Sequence, residues 1–246
     1  MKSGPFGRTT NDRRAGAVSD GAWGGIRHQR SRKEGRAGRP LAGREQRIQL
    51  EYFNRFLSRI FSEGDDSEWV LKGGAGMLAR IPSTRSTLDI DLYRRGFPLE
   101  QALDDLRRLA SIDLGDHFRF EYADHESSIE ADSQPYTDGY RVVFTVFIGV
   151  VKKGVVKIDL AVGAGMTGAV QSSLPVTALA LPRLASNRYR LYPVVDQIAD
   201  KVCATMSDYD GRPSSREKDL VDIIVFAVTQ DIDGAALNLL TLALPG

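Results

Sequence analysis

The chain has one cysteine, Cys203, which excludes an intramolecular disulfide and any zinc site built on several thiolates. Its three histidines, His28, His117 and His125, lie in unrelated segments without ligand spacing, so a histidine metal centre is not expected. No apolar run reaches the ~20 residues a membrane-spanning helix needs. The longest, Val142 to Val151, is short and rich in β-branched residues and reads as a buried strand. No apolar stretch follows the N-terminal arginines, so no secretory leader is read, and the expected compartment is the cytoplasm. Aromatic residues are 8% and scattered, without the pattern of a base-stacking platform. There is no internal repeat.

What remains is an ordinary soluble composition: 246 residues, 42% hydrophobic and 26% charged, enough for one medium domain or two small ones. The net charge of +1 hides an asymmetry. Residues 1–47 hold 12 Lys/Arg against 4 Asp/Glu, and the rest holds 21 against 28. Residues 1–42 carry Gly, Arg and Ser with almost no apolar periodicity, so this basic tail is predicted to be disordered. Such a tail can hold nucleic-acid phosphates or serve only as a solvated leader.

Order is predicted from Gly43. Apolar residues at helical spacing mark a helix over Arg44–Ser62. A strand at Glu68–Leu71 runs into a short helix at Gly76–Ile81, and Leu88–Tyr93 alternates as a strand with Leu88, Ile90 and Leu92 facing the core. A helix follows at Pro98–Ala110, then strands at His117–Tyr122, Arg141–Val151 and Val155–Val162, the last two joined by a Lys152–Gly154 turn. A short strand is predicted at Val176–Leu181. Helices are predicted at Pro193–Ser207, Ser215–Thr229 and Gly234–Leu242. This order fits an α+β or an α/β class, and α+β is the expectation: a mixed sheet with flanking helices over 43–190, and a C-terminal helical lobe over 191–246.

Four segments carry chemistry. In Leu88-Asp89-Ile90-Asp91-Leu92, strand alternation turns both carboxylates to one face. At ~4 Å and an effective dielectric near 20 their repulsion is roughly 4 kcal/mol, which a hard divalent cation removes. Val156-Lys157-Ile158-Asp159-Leu160 repeats the pattern and makes Asp159 the candidate third carboxylate. Lys72-Gly73-Gly74 closes a strand and opens a helix, a geometry suited to an anion. Arg85-Ser86, just before the carboxylate strand, is a candidate phosphate clamp. Farther on, Lys201 borders an apolar stripe, and Asp219 and Asp222 lie on a helix so apolar from Leu220 to Val228 that it is expected to be largely buried. Arg216 and Lys218 are their candidate partners. Each segment alone also has a purely structural reading.

Taken in order, Leu71-Lys72-Gly73-Gly74, Arg85-Ser86, Asp89-Ile90-Asp91, Lys157-Ile158-Asp159, Asp200-Lys201 and Arg216-Glu217-Lys218-Asp219 with Asp222 resemble the AbiEii/AbiGii-type toxin nucleotidyltransferases of bacterial toxin–antitoxin systems. The resemblance covers about residues 45–230. It implies a polymerase-β-like nucleotidyltransferase core and Mg²⁺-dependent (or Mn²⁺-dependent) transfer of a nucleoside monophosphate from an NTP. The implied acceptor is RNA, the 3′ end of tRNA, with arrest of translation, and the implied partner is an AbiEi-like antitoxin. No membrane association is expected, and the chain is expected to be a monomer. Residue by residue, Asp89, Asp91 and Asp159 would bind metal, with Asp159 alternatively acting as base. Gly73, Gly74, Arg85, Ser86, Lys201 and Arg216 would contact the nucleotide, and Asp219 would be catalytic. The alternatives are transfer to a small molecule or protein hydroxyl, and a non-catalytic relative that binds only antitoxin or nucleic acid. Three features depart from the family pattern: Ala75 where relatives usually have Thr, a last residue at Gly246 where many relatives continue with helices, and the Gly/Arg leader. The hydroxyl missing at Ala75 removes a phosphate hydrogen bond worth about 0.5–1.5 kcal/mol.

Overall fold

A computed structural model describes residues 43–81, 87–127, 138–163, 165–176, 178–179, 184, 186–206 and 217–243. The chain divides into two units, 1–38 and 39–246, and every described residue lies in the second. The basic tail expected over 1–42 lies outside the described residues, as do Arg85, Ser86 and Arg216.

Within the second unit the order is α1 (Arg44–Ile60), β1 (Trp69–Leu71), α2 (Gly73–Arg80), β2 (Ile90–Arg95), α3 (Leu99–Ala110), β3 (Phe118–Ser127), β4 (Asp138–Ile148), β5 (Val151–Gly163), β6 (Gln171–Ser173), β7 (Tyr189–Leu191), α4 (Val194–Met206), α5 (Glu217–Thr229) and α6 (Gly234–Ala243). The strands form one mixed sheet in the order β3-β4-β5-β2-β1-β7-β6. The α+β class is as expected.

The main core lies on one sheet face. Phe53, Phe56, Leu57 and Ile60 of α1, with Leu103, Leu106 and Leu109 of α3, cover Phe120, Val142, Phe144, Val146, Val156, Ile158 and Leu160. Phe56 sits edge-on to Phe120 at 5.2 Å between ring centres and tilted against Phe144 at 5.1 Å. Inside this core Arg59 is fully buried and grips Asp116 through two bonds, 2.6 and 3.0 Å. It also donates to the Arg55 and Phe118 carbonyls, each at 2.8 Å, tying the helix to the start of β3. A second core joins α2, α4 and α5 through Met77, Ile81, Val194, Ile198 and Phe226. A third, Val70, Tyr93 and Tyr192, lies on the opposite sheet face.

Four expectations are corrected. Leu88 is 76% exposed, because β2 begins at Ile90 and the alternation therefore starts two residues late. The β4–β5 turn falls at Gly149–Val150 rather than Lys152–Gly154. Gly149 has the positive φ (+58°) that a tight turn favours, and Lys153 becomes the extra residue of a bulge, since Val146 pairs with Gly154 and Phe147 with Lys152. No strand forms among the described residues of 176–181, while β6 and β7, too short to show alternation, extend the sheet. Finally, α5 is not largely buried. Only Asp222 and Phe226 are, while Leu220, Val221, Ile224 and Val228 are exposed.

Candidate active site

The site forms where β2 and β5 run side by side. Their parallel register pairs Asp91 with Asp159, so the two D-bearing motifs, far apart in sequence, put carboxylates on neighbouring strands and one face. Asp89 stands just before the strand on the same side and feels Asp159, Lys157 and Arg141 electrostatically. Burial and then the Asp159 charge push the Asp91 carboxyl up to about 6, against the pull of Lys72 and Lys201. Burial followed by Asp159 also raises Asp89. The cluster carries more negative charge than its surroundings neutralise.

The glycine turn is pressed against this cluster. Gly73 opens α2 at φ +57°, and a Cβ placed on it would lie 2.0 Å from Asp91 Oδ2 and 2.4 Å from its Cγ. No side chain fits there while Asp91 keeps its place. The Lys72 backbone N–H donates to the Asp91 carbonyl at 2.8 Å, and the Gln197 amide donates to the Gly73 carbonyl at 2.9 Å. The first N–H groups of α2 thus open beside the carboxylates, with no acceptor within their own helix. Gly74 follows as the second residue of that helix, half-buried. Ala75 turns away: it belongs to the main core and lines a cavity of about 10 Å³ with Phe53, Leu57 and Tyr189. A threonine here would place its side chain in the core.

Two lysines act on the carboxylates. Lys72 pairs with Asp200 at 3.0 Å and lies 4.3 Å above the Tyr192 ring, with Tyr93 beyond at 5.4 Å. Lys201 is only 9% exposed and binds Asp219 at 2.6 Å and Asp222 at 2.8 Å. It supplies the countercharge that α5 needs. The expected Lys218 is exposed, and Arg216 lies outside the described residues. Asp219 therefore enters the site through Lys201, whose charge also reaches Asp91.

The structure thus brings together Gly73, Asp89, Asp91, Asp159 and Lys201, with Asp219 behind Lys201. Sequence reasoning missed four partners as site residues. Lys72 and Asp200 were inside recognised motifs but unassigned. Gln197 carried no signal. Arg141 donates from Nε to Asp159 Oδ1 at 3.0 Å and is placed there by the β4–β5 register, which the sequence does not display.

The donor set suits a hard divalent cation: all oxygen, two carboxylates abreast and a proton affinity raised by burial and then by the neighbouring carboxylate. Asp91 and Asp159 would hold such an ion, with Asp89 beside them. As the side chains stand, no three potential ligands among the described residues gather at one point, and Asp159 is drawn toward Arg141.

A mixed sheet with carboxylates abreast beside a glycine-opened helix is an arrangement suited to moving phosphoryl-linked groups. The chain belongs to the AbiEii nucleotidyltransferase toxin family of type IV toxin–antitoxin systems, whose family model matches residues 55–244. Among solved structures it is similar to JHP933 from Helicobacter pylori, with 16% identity, a TM-score of 0.45, and coverage of 75% of this chain and 67% of that one. It is also similar to a Helicobacter pylori protein provisionally described as a nucleotidyltransferase, with 17% identity, a TM-score of 0.46, and coverage of 75% and 69%. No curated protein matches the chain. No helix among the described residues is long and apolar enough to cross a membrane.

Proposed function

We propose that this chain is an Mg²⁺-dependent enzyme that transfers a nucleoside monophosphate from an NTP to RNA, at the 3′ end of tRNA, and thereby blocks translation. The observation that carries this reading is the Gly73 backbone lying against Asp91, with Asp159 in register beside it. Triphosphate oxygens would meet the N–H groups at the start of α2, within the field of Lys72 and Lys201. Bound Mg²⁺, held by Asp91 and Asp159 with Asp89 near, would offset charge on the triphosphate and the carboxylates. As the alternative to holding the ion, Asp159 would take the proton of the acceptor hydroxyl as its oxygen bonds to the α-phosphorus and pyrophosphate departs. Arg141, which donates to Asp159 at 3.0 Å, would fix the rotation of that carboxylate. The family makes an AbiEi-like antitoxin the expected partner, and we read the protein as a cytoplasmic monomer.

The test is incubation of the purified protein with total tRNA, Mg²⁺ and each α-labelled NTP in turn. Label in tRNA that disappears in Asp91→Ala supports the reading. Label in protein or a small molecule selects those acceptors instead. Absence of any label with all four NTPs overturns transfer altogether.

A further inference from the structure

The sheet has two unlike faces over β3, β4 and β5. On β4, Val142, Phe144 and Val146 are buried under α1 and α3. Their alternates Arg141, Val143, Thr145 and Phe147 are only half-buried. Asp159 belongs to this second face, because it pairs with Arg141. Strand alternation puts Lys157 on the same face two residues earlier, about 7 Å along the strand. Farther back, Lys152 pairs with Phe147, and the bulge sets Lys153 beside it. All three lysines are exposed, and Lys152 and Lys153 make no ion pair among the described residues. One strand thus carries a line of three ammonium groups, about 20 Å long, that ends at Asp159.

The surroundings restrict what can lie there. The body beyond residue 47 is acidic overall, so a run of lysines leading to the carboxylates is a local reversal of sign. On the edge strand β3 the same face carries Asp124 and Glu126, with Glu121 paired to Arg119; Asp124 and Glu126 repel a polyanion from the sheet margin and leave β5 as its path. Beside Lys152, the Arg119 guanidinium lies 4.4 Å from the centre of the Phe147 ring, and such planar stacks receive unpaired bases.

Resting on the RNA-acceptor reading above, we propose that the uncovered face of β5 is the acceptor track. A single-stranded RNA end would run along it, its phosphates met by Lys152, Lys153 and Lys157, its terminal hydroxyl delivered to Asp159. Single-stranded RNA is favoured over duplex because the lysines follow one strand, in a single line, rather than two rows.

The experiment measures equilibrium binding of a fluorescent single-stranded RNA, as a function of salt, by wild-type protein and Lys152→Glu/Lys153→Glu, alongside Mg²⁺–NTP binding. The expected result is at least about tenfold weaker RNA binding in the variant and a log K versus log salt slope smaller by about 1.4. NTP binding should be unchanged. Lys152→Arg/Lys153→Arg keeps both charges and should restore RNA affinity, which separates charge from folding. If wild-type protein binds and labels RNA but the Glu variant does so equally well, the track is wrong and the acceptor reading survives. If wild-type protein neither binds nor labels RNA, both fail. Unchanged RNA affinity with loss of a protein partner would also overturn the track.

Discussion

Two charge clusters in this molecule are built on opposite principles. Arg59 and Asp116 are both buried and neutralise each other through a two-pronged bond. At the candidate site, Asp91 and Asp159 lie abreast on parallel strands with Asp89 near; Asp159 is paired with Arg141, and the lysines around them are shared with Asp200, Asp219 and Asp222. The first cluster is complete and pins α1 to β3. In the second, burial first and then the Asp159 charge raise the Asp91 carboxyl to about 6. A group that only builds the fold is compensated where it stands; a carboxylate buried beside another carboxylate against a glycine turn is a candidate for chemistry.

The comparison can be broken most severely at the complete cluster. Arg59→Ala strands a buried carboxylate and should cost about 3–5 kcal/mol of stability by denaturant unfolding. Asp91→Asn should do the reverse: transfer falls about 10²–10³-fold, while the melting temperature holds or rises because a buried charge and its repulsion by Asp159 have gone. A fall in stability matching Arg59→Ala would mean the two clusters do not differ in kind. Gly73→Ala meets both a positive φ and the Asp91 carboxylate, and should lose about 1–3 kcal/mol by unfolding along with most transfer. Ala75→Thr, pointing into the core, should destabilise by about 1–3 kcal/mol without tightening NTP binding; tighter binding would place its hydroxyl at the phosphates.

How much of this was legible depended on range. Alternation exposed the carboxylates of Asp91 and Asp159, because strand period is a local property. Their pairing was not legible, since register is set across some seventy residues of chain. Arg141 reached Asp159 through that same register. Lys201 announced itself as a charge on the border of an apolar stripe, whereas its partners on α5 did not follow from nearby sequence. The run Leu220–Val228 misled for a related reason. Apolar content records what a helix can bury, and here only the Asp222–Phe226 side meets α2 and α4. At Ala75 the residue type suggested a lost phosphate contact, but helix phase turned it to the core.

The pH dependence of stability is the sharpest readout. The ordinary aspartate value is 3.8, and Asp91 in the folded protein is raised to about 6. The folded state therefore binds this proton more tightly than the unfolded chain. The stability it confers is full below pH 4 and is lost as pH rises through 6, by at most about 3 kcal/mol. Asp91→Asn should flatten the unfolding free energy between pH 4 and 7, and Mg²⁺ should restore stability to the wild-type protein at pH 7.5.

The most direct measurement is a carboxyl NMR titration of Asp91 with and without millimolar Mg²⁺. The account predicts a midpoint near 6 in the free protein that falls to the ordinary aspartate range when Mg²⁺ is present. A midpoint already near 3.8, or one that Mg²⁺ leaves unmoved, would contradict it.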